Sequence, residues 1–99
     1  MNEAEIFELI NEYREENHVS PFREDSEFIN YVNEGIQDIN SYVGKEINYK
    51  EDLVARSLLK RYVLYADYKK IEEFKQKNIA EYDRLQRKYS NEFLNNTNI

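Results

Sequence analysis

The sequence predicts an all-α protein: a small single-domain helical bundle of about four helices. A chain of 99 residues has room for one domain with one modest core. With 2 glycines and 1 proline it lacks the turn residues that the many hairpins of an all-β fold need. Its apolar residues recur at spacings of three and four, the period of one helix face. We expect one domain over residues 1–94, with helices over about 3–16, 21–43, 49–67 and 70–93, and a flexible, disordered tail over residues 95–99.

The first predicted helix, over residues 3–16, is amphipathic and strongly acidic. Apolar side chains recur along one face with acidic residues between them: Ile6, Leu9 or Ile10, and Tyr13. Its last turn ends on Glu15 and Glu16, which lie unfavourably near the negative end of the helix dipole. The next three residues are predicted to form a loop.

The second predicted helix has two candidate starts. Ser20 and Pro21 have the pattern of an N-cap followed by proline at the first helical position, and Asp25 offers a later start. Gly44 follows the last apolar residue and is a typical helix stop. Gly35, inside the helix, costs about 1 kcal/mol relative to alanine. It either permits close helix packing or is merely tolerated.

The third predicted helix is the centre of the domain. Apart from four residues, every position from Leu53 to Ala66 is apolar or aromatic, which is too much for one stripe and indicates packing on more than one side; the exceptions are Arg56, Ser57, Lys60 and Arg61. Asn48 and Glu51 have the spacing of a capping box and predict the start of this helix. Its basic residues share one edge: Arg56, Lys60 and Arg61.

The fourth predicted helix has a narrow apolar stripe, as expected of a helix that rests on a partner. The stripe consists of Ile71, Phe74, Asn78, Tyr82, Leu85, Tyr89 and Phe93. Basic residues lie outside it: Lys75, Lys77, Arg84, Arg87 and Lys88. The polar segment 67–70 before it contains no glycine or proline, so it either holds a bend or continues the third helix.

The net charge of -6 argues against a general nucleic-acid binder, which needs a basic surface. Residues 1–44 carry eleven acids against two bases, or -9, and residues 45–99 carry nine against twelve, or +3. The two halves either pack on each other within one monomer or join an acidic face of one copy to a basic face of the next. For the second case Arg56, Lys60 and Arg61 are the candidate partner-binding residues. Reversing Arg56 and Lys60 to glutamate should then impair assembly, whereas loss of folding would mean that they are internal salt-bridge partners.

Catalytic chemistry has little support in this sequence. The chain has no cysteine, and its one histidine, His18, falls in a predicted exposed loop. The chain has no EF-hand loop and no phosphate-binding loop, and its one Glu-x-x-His motif, from Glu15 to His18, lies at a fraying helix end and has no second copy. We therefore expect no enzyme activity, no catalytic residue, no cofactor and no metal. The N-terminus lacks the pattern of a signal peptide, and no apolar stretch approaches 18 residues, so we expect an intracellular, soluble protein that does not bind membranes.

Tyrosine accounts for nine of the fourteen aromatic residues. Tyr62 and Tyr65, in the central helix, are expected in the core with their hydroxyls reaching the surface. Tyr82, Tyr89 and Phe93 are predicted to contact another subunit, because tyrosine is enriched at interfaces. Stacking on single-stranded nucleic acid is a third interpretation, which the acidic first half disfavours.

Three segments resemble the small head-tail connector (adaptor) proteins of long-tailed bacteriophages. Residues 39–45 are similar to the second helix of that family, with its closing glycine and basic residue. Residues 60–66 are similar to its basic and aromatic central helix, and residues 72–74 to an acidic-aromatic turn. The resemblance spans about residues 25–90.

The resemblance implies a structural subunit of the virion, assembled in the host cytoplasm into a ring, usually a dodecamer, at the head-tail interface. The ring would join the portal protein to a stopper or tail-completion protein and let DNA pass without specific binding. The C-terminal segment would become ordered on docking to the portal. An alternative from another class is a small acidic regulatory protein whose first helix covers a basic surface of a host or phage DNA-binding protein.

Overall fold

The computed structural model describes the backbone of residues 1–97 and the side chains of residues 1–91. Within this part the chain forms four helices and no strand, which confirms the predicted all-α bundle. They are α1 (Glu3–Glu16), α2 (Asp25–Val43), α3 (Leu53–Asp67) and α4 (Ile71–Thr97). The backbone of α4 is thus helical past residue 93, the predicted end. The last two residues of the predicted tail lie outside the described chain.

A capping box fixes the start of α1. The Asn2 side chain accepts a hydrogen bond from the backbone N–H of Glu5 at 2.8 Å, and the Glu5 carboxylate accepts one from the N–H of Asn2 at 3.1 Å. At the other end His18 has a φ of 51°, and the N–H of Val19 bonds the carbonyl of Arg14 at 3.0 Å. This left-handed residue turns the chain away from the helix axis.

The predicted start of α2 at residue 21 is wrong, and the later candidate, Asp25, is correct. The guanidinium of Arg14 donates to the carbonyl oxygens of Ser20 at 3.1 Å and of Arg23 at 2.6 Å. The N–H of Arg23 also bonds the Ser20 carbonyl, at 3.2 Å. These bonds hold residues 20–23 in a turn, so the helix begins after them.

The predicted start of α3 at residue 49 is also wrong, since the helix begins at Leu53. Its N-cap is Asp52, whose carboxylate accepts from the N–H of Ala55 at 3.0 Å. The Asn48 side chain accepts from the N–H of Glu51 at 3.3 Å, but also from the N–H two residues on, at 3.0 Å. Asn48 therefore closes a turn ahead of the helix instead of capping it.

Helices α1 and α4 lie on opposite sides of α3. Arg56 and Lys60, one turn apart, bind α1, as described below. Tyr62 lies about 200° around the helix from Lys60, and its ring contacts that of Phe74 on α4 at a centroid distance of 5.4 Å. Tyr65 contacts the same ring at 5.3 Å. Helix α2 packs along α3 and also contacts both outer helices.

The core draws on all four helices and on the linker before α3. Gly35 lies where α2 and α3 are closest, because a Cβ there would stand 2.6 Å from Leu59 Cδ1 and 2.9 Å from Tyr62 Cδ1. The close-packing interpretation of this glycine is therefore correct. The largest fully buried side chains are Tyr13, Tyr49, Tyr82, Phe28, Phe74, Leu9, Ile10, Ile39, Leu58, Leu59, Leu85 and Val32.

Candidate interaction surfaces

Two of the three basic residues of α3, Arg56 and Lys60, face α1 of the same chain. Arg56 hydrogen-bonds the carboxylate of Glu12 and the carbonyl oxygen of Tyr49, the latter at 3.2 Å. Lys60 Nζ lies 3.2 Å from Glu12 Oε1 and 2.9 Å from Glu16 Oε1. The side chains of Arg56 and Lys60 are 11% and 16% exposed. In the monomer these two cations therefore serve as internal partners of the first helix.

The charges in this cluster stabilise one another. The hydrogen bond from Arg56 lowers the pKa of Glu12 below its ordinary value, and the ammonium of Lys60 acts in the same direction. The lowered pKa keeps the carboxylate ionised between the two cations. The cluster therefore fastens α1 to α3 by charge.

Arg61, the third predicted basic contact, binds α4. Its guanidinium donates to the side-chain oxygen of Asn78 and to Glu81 Oε1, both at 2.9 Å. Asn78 is buried and also donates to the carbonyl of Phe74 at 2.9 Å. All three basic residues predicted to meet a partner are thus hydrogen-bonded within the monomer.

The prediction that Tyr82 contacts another subunit is wrong, because this side chain is 0% exposed. Its hydroxyl donates to Asp38 Oδ2 at 2.7 Å, and its ring packs against those of Tyr42 and Phe74. Burial and the bond to Asp38 raise the pKa of Tyr82. The narrow stripe of α4 rests on the α2–α3 pair, so its aromatic residues enter the core.

Tyr89 is half-buried and joins α4 to the start of α3. Its hydroxyl donates to Asp52 Oδ2 at 2.5 Å, and Lys88 Nζ lies 2.9 Å from the same oxygen. Burial raises the pKa of Asp52, but these bonds and that from the Ala55 N–H outweigh it and leave the pKa below its ordinary value. The side chain of Phe93, the last predicted contact, lies outside the described residues.

A group of acidic side chains remains on the outside of the α1 side. Glu8 and Glu15 lie two turns apart on the face of α1 opposite its buried residues, and Glu24 lies in the loop that follows. We call these three residues the acidic flank. All three are exposed, and none has an ion-pair partner within the described part of the chain.

A matching group of basic side chains follows the outer edge of α4. Its members recur at seven- and three-residue spacing and are all exposed: Lys70, Lys77, Arg84 and Arg87. We call them the basic flank. Lys77 has a loose ion pair with Glu73 at 3.6 Å and lies 5.9 Å above the ring of Tyr65, and the other three have no ion-pair partner among the described residues. The sequence shows these residues outside the apolar stripe, but it does not show that they, and not the cations of α3, remain unpaired.

Neither a metal centre nor a membrane span is found in the described part of the chain. No group of three or more His, Cys, Asp or Glu side chains there is placed to hold a metal ion. None of its helices is both long enough and apolar enough to cross a bilayer.

Comparison of the chain with protein-family models, with curated proteins and with solved structures finds no match.

Proposed function

We propose that this chain is a structural head-tail connector (adaptor) protein of a tailed bacteriophage. It assembles as a ring that joins the portal protein to the next head-completion or tail protein and lets DNA pass. The observation that carries the proposal is the presence of exposed opposite charges on different helices, the acidic flank on α1 and the loop after it and the basic flank along α4, with only one loose ion pair, Lys77 to Glu73, among these described residues.

Such a molecule favours head-to-tail association. When two different faces of a subunit complement each other, each copy can bind one neighbour on either side, and the chain of contacts closes into a ring if the rotation fits. A two-fold dimer would have to form the contact between acidic and basic flanks twice across one interface, whereas a head-to-tail pair forms it once and leaves one flank of each sign for the next copy. Complementary potentials also set the register of neighbouring subunits.

The long last helix supports a role in docking. With 27 residues α4 is about 40 Å long, against about 21 Å for the 14 residues of α1. Its last fully buried side chain among the described residues is Leu85, twelve positions before its end. We propose that this end of α4 docks onto the portal in the virion.

Passage of DNA fits an acidic subunit. A net charge of -6 repels the phosphate backbone, so a ring of such subunits would hold DNA without adhesion. The bases that remain exposed on α4 are, in this proposal, covered by the acidic flank of the neighbour.

The experiment is a mass measurement of the purified chain with and without the purified portal protein of the phage that encodes it. We expect a ring-sized complex on the portal, visible by electron microscopy at its tail-facing end. A chain that stays monomeric and does not bind the portal would overturn the proposal.

The acidic flank also supports a second candidate, a small regulatory protein that covers a basic surface of a host or phage DNA-binding protein. Glu8, Glu15 and Glu24 would then meet the lysines and arginines of that target. A chain that ignores the portal but releases a DNA-binding protein from DNA, with the release weakened by Glu8→Lys and Glu15→Lys, would favour this candidate.

A further inference from the structure

We propose that Phe22 of one copy inserts into the groove between α3 and α4 of the neighbouring copy. The inference rests on the proposed ring and names the apolar contact that accompanies the charged flanks. It has one occupant, a second copy of this chain.

Phe22 is unusual because its side chain is 94% exposed, the most of any large apolar residue in the described chain. Burial of such a ring at a contact is favourable, because it removes a large apolar surface from water. An aromatic residue surrounded by polar ones is also a typical anchor of a protein interface. The exposed ring is therefore a strong candidate for a contact.

The loop that carries Phe22 is held in place on both sides. Arg14 binds two carbonyls of the loop and the carboxylate of Asp25, the last at 2.8 Å. Arg23 binds Asp67 at 2.6 Å and Glu27 at 2.8 Å. Because the loop is already ordered, docking of its aromatic ring costs little further conformational entropy.

The groove between α3 and α4 has the size and chemistry to receive this ring. Its volume is about 320 Å³, and of its six lining side chains three are aliphatic or aromatic and three are charged. Tyr68, at its open edge, is 67% exposed. The lining residues are Leu64, Tyr65, Tyr68, Lys70, Glu73 and Lys77.

The charges around the two surfaces are complementary. Glu24, two residues after Phe22, is unpaired and belongs to the acidic flank. Lys70 and Lys77, at the rim of the groove, belong to the basic flank. Insertion of Phe22 would therefore bring an unpaired carboxylate to two lysines, which fixes the orientation of the contact.

The positions of loop and groove suit a ring. The ion pair between Arg23 and Asp67 places the loop at the end of the bundle where α3 terminates, and Tyr68 is the next residue of that end. The loop belongs to the α1–α2 side, and the groove belongs to the α3–α4 side. The two surfaces therefore lie at the same end of the bundle, where each can meet the other surface of a neighbouring copy.

Disulfide crosslinking tests the contact directly, because the chain has no cysteine. A mixture of Phe22→Cys and Tyr68→Cys chains, oxidised under assembly conditions, should give the mixed dimer several-fold above either homodimer. The double variant should give a ladder of covalent oligomers. The matched control is Phe22→Cys mixed with Val54→Cys, since Val54 is 55% exposed at the other end of α3.

Three results would overturn the contact: preference for the Phe22→Cys homodimer, equal yield with Val54→Cys, or closure of the double variant within one chain. As a second measurement, Phe22→Ser should weaken assembly at least tenfold with unchanged helix content, and Val54→Ser should not. If rings form on the portal without the crosslink, the contact is wrong and the connector proposal stands. If the ladder forms but the portal is not bound, the contact stands and the connector proposal fails.

Discussion

The basic residues of α3 and those of α4 are similar in kind but differ in what they bind. Arg56 and Lys60 on α3 are mostly covered and bind Glu12 and Glu16 of the same chain. The basic flank of α4 is exposed to solvent, and its nearest ion-pair contact is the loose one from Lys77 to Glu73 at 3.6 Å. The first group stabilises the monomer, and the second makes only this one loose ion pair within the described part of the chain.

The difference comes from what stands opposite each group. Glu12 and Glu16 lie one turn apart on the side of α1 that faces α3, so they match Arg56 and Lys60. Among the described residues, no carboxylate of another helix lies within ion-pair distance of the basic flank. Whether a group of basic residues stabilises the monomer therefore depends on the helix that stands opposite it. Charge reversal should lower the free energy of unfolding in the α3 group and leave it nearly unchanged in the basic flank.

Charge reversal on α3 should have the largest effect. We expect Arg56→Glu with Lys60→Glu to lower the free energy of unfolding by about 3 kcal/mol, because it leaves four acids together in a partly buried site. Urea unfolding followed by circular dichroism measures the change. The matched control, Arg84→Glu with Arg87→Glu, should stay within about 0.5 kcal/mol of the unmodified chain. If the two variants had the same free energy of unfolding, the claim that the basic residues of α3 stabilise the monomer and those of α4 do not would be wrong.

The variant with Arg84→Glu and Arg87→Glu, which should fold normally, is expected to assemble less well. We expect Arg84→Glu with Arg87→Glu to weaken self-association at least about tenfold, or about 1.4 kcal/mol, through like charges at the contact. Sedimentation at low salt measures it. Lys50→Glu, which changes an exposed lysine outside the flank, should have little effect.

Added salt should likewise weaken assembly of the unmodified chain, since exposed charges are screened. If neither added salt nor charge reversal in the basic flank changed assembly, charge would not be the cause of assembly.

Close packing at the centre of α3 predicts a smaller effect. We expect Gly35→Ala to destabilise the fold by about 1 kcal/mol. Overpacking against Leu59 and Tyr62 costs about 1–3 kcal/mol, and the gain in helix propensity returns about 1 kcal/mol. Asn33→Ala, on the exposed side of α2, should instead be neutral or slightly stabilising. A stabilising Gly35→Ala would show that the two buried side chains move aside without cost.

The smallest expected effect is the loss of folding stability at low pH that comes from Glu12, which lies between Arg56 and Lys60. The folded-state pKa of Glu12 lies below its ordinary value of 4.5, so the stabilisation is complete above pH 4.5 and is lost as pH falls through the folded pKa. We expect Glu12→Gln to flatten the loss of stability below pH 4.5. Glu8→Gln, in the acidic flank, should leave that slope unchanged. Thermal unfolding between pH 3 and 7 compares the two, and identical slopes would contradict the cluster's contribution.

Helix content and order could be predicted from the sequence because apolar spacing is a local signal. The starts of α2 and α3 could not. Arg14 reaches across the loop to hold residues 20–23 in a turn, and Asn48 bonds the N–H two residues on. In both cases a side chain could hydrogen-bond more than one backbone group, and the bond that forms decides where the helix begins. Residue spacing does not show which bond forms.

The interaction surfaces were less predictable for a related reason. Sequence shows that Arg56 and Tyr82 have residue types common at interfaces, but it does not show whether the monomer already uses them. Tyr82 hydrogen-bonds Asp38, which is 44 positions away in the chain, and Arg56 hydrogen-bonds Glu12, which is also 44 positions away. Phe22, in contrast, follows a proline in a loop, where its exposure depends on the fold of everything around it.

The most direct test of the central claim mixes two charge-reversed chains. One carries Arg84→Glu and Arg87→Glu, so the end of its basic flank that holds these two positions becomes acidic, and the other carries Glu8→Lys and Glu15→Lys, so the outer face of α1 becomes basic. Sedimentation mass at low salt, with and without the portal, should show that each remains monomeric alone and that the equimolar mixture assembles. A mixture that stays monomeric, or a single variant that assembles as well as the unmodified chain, would contradict the account.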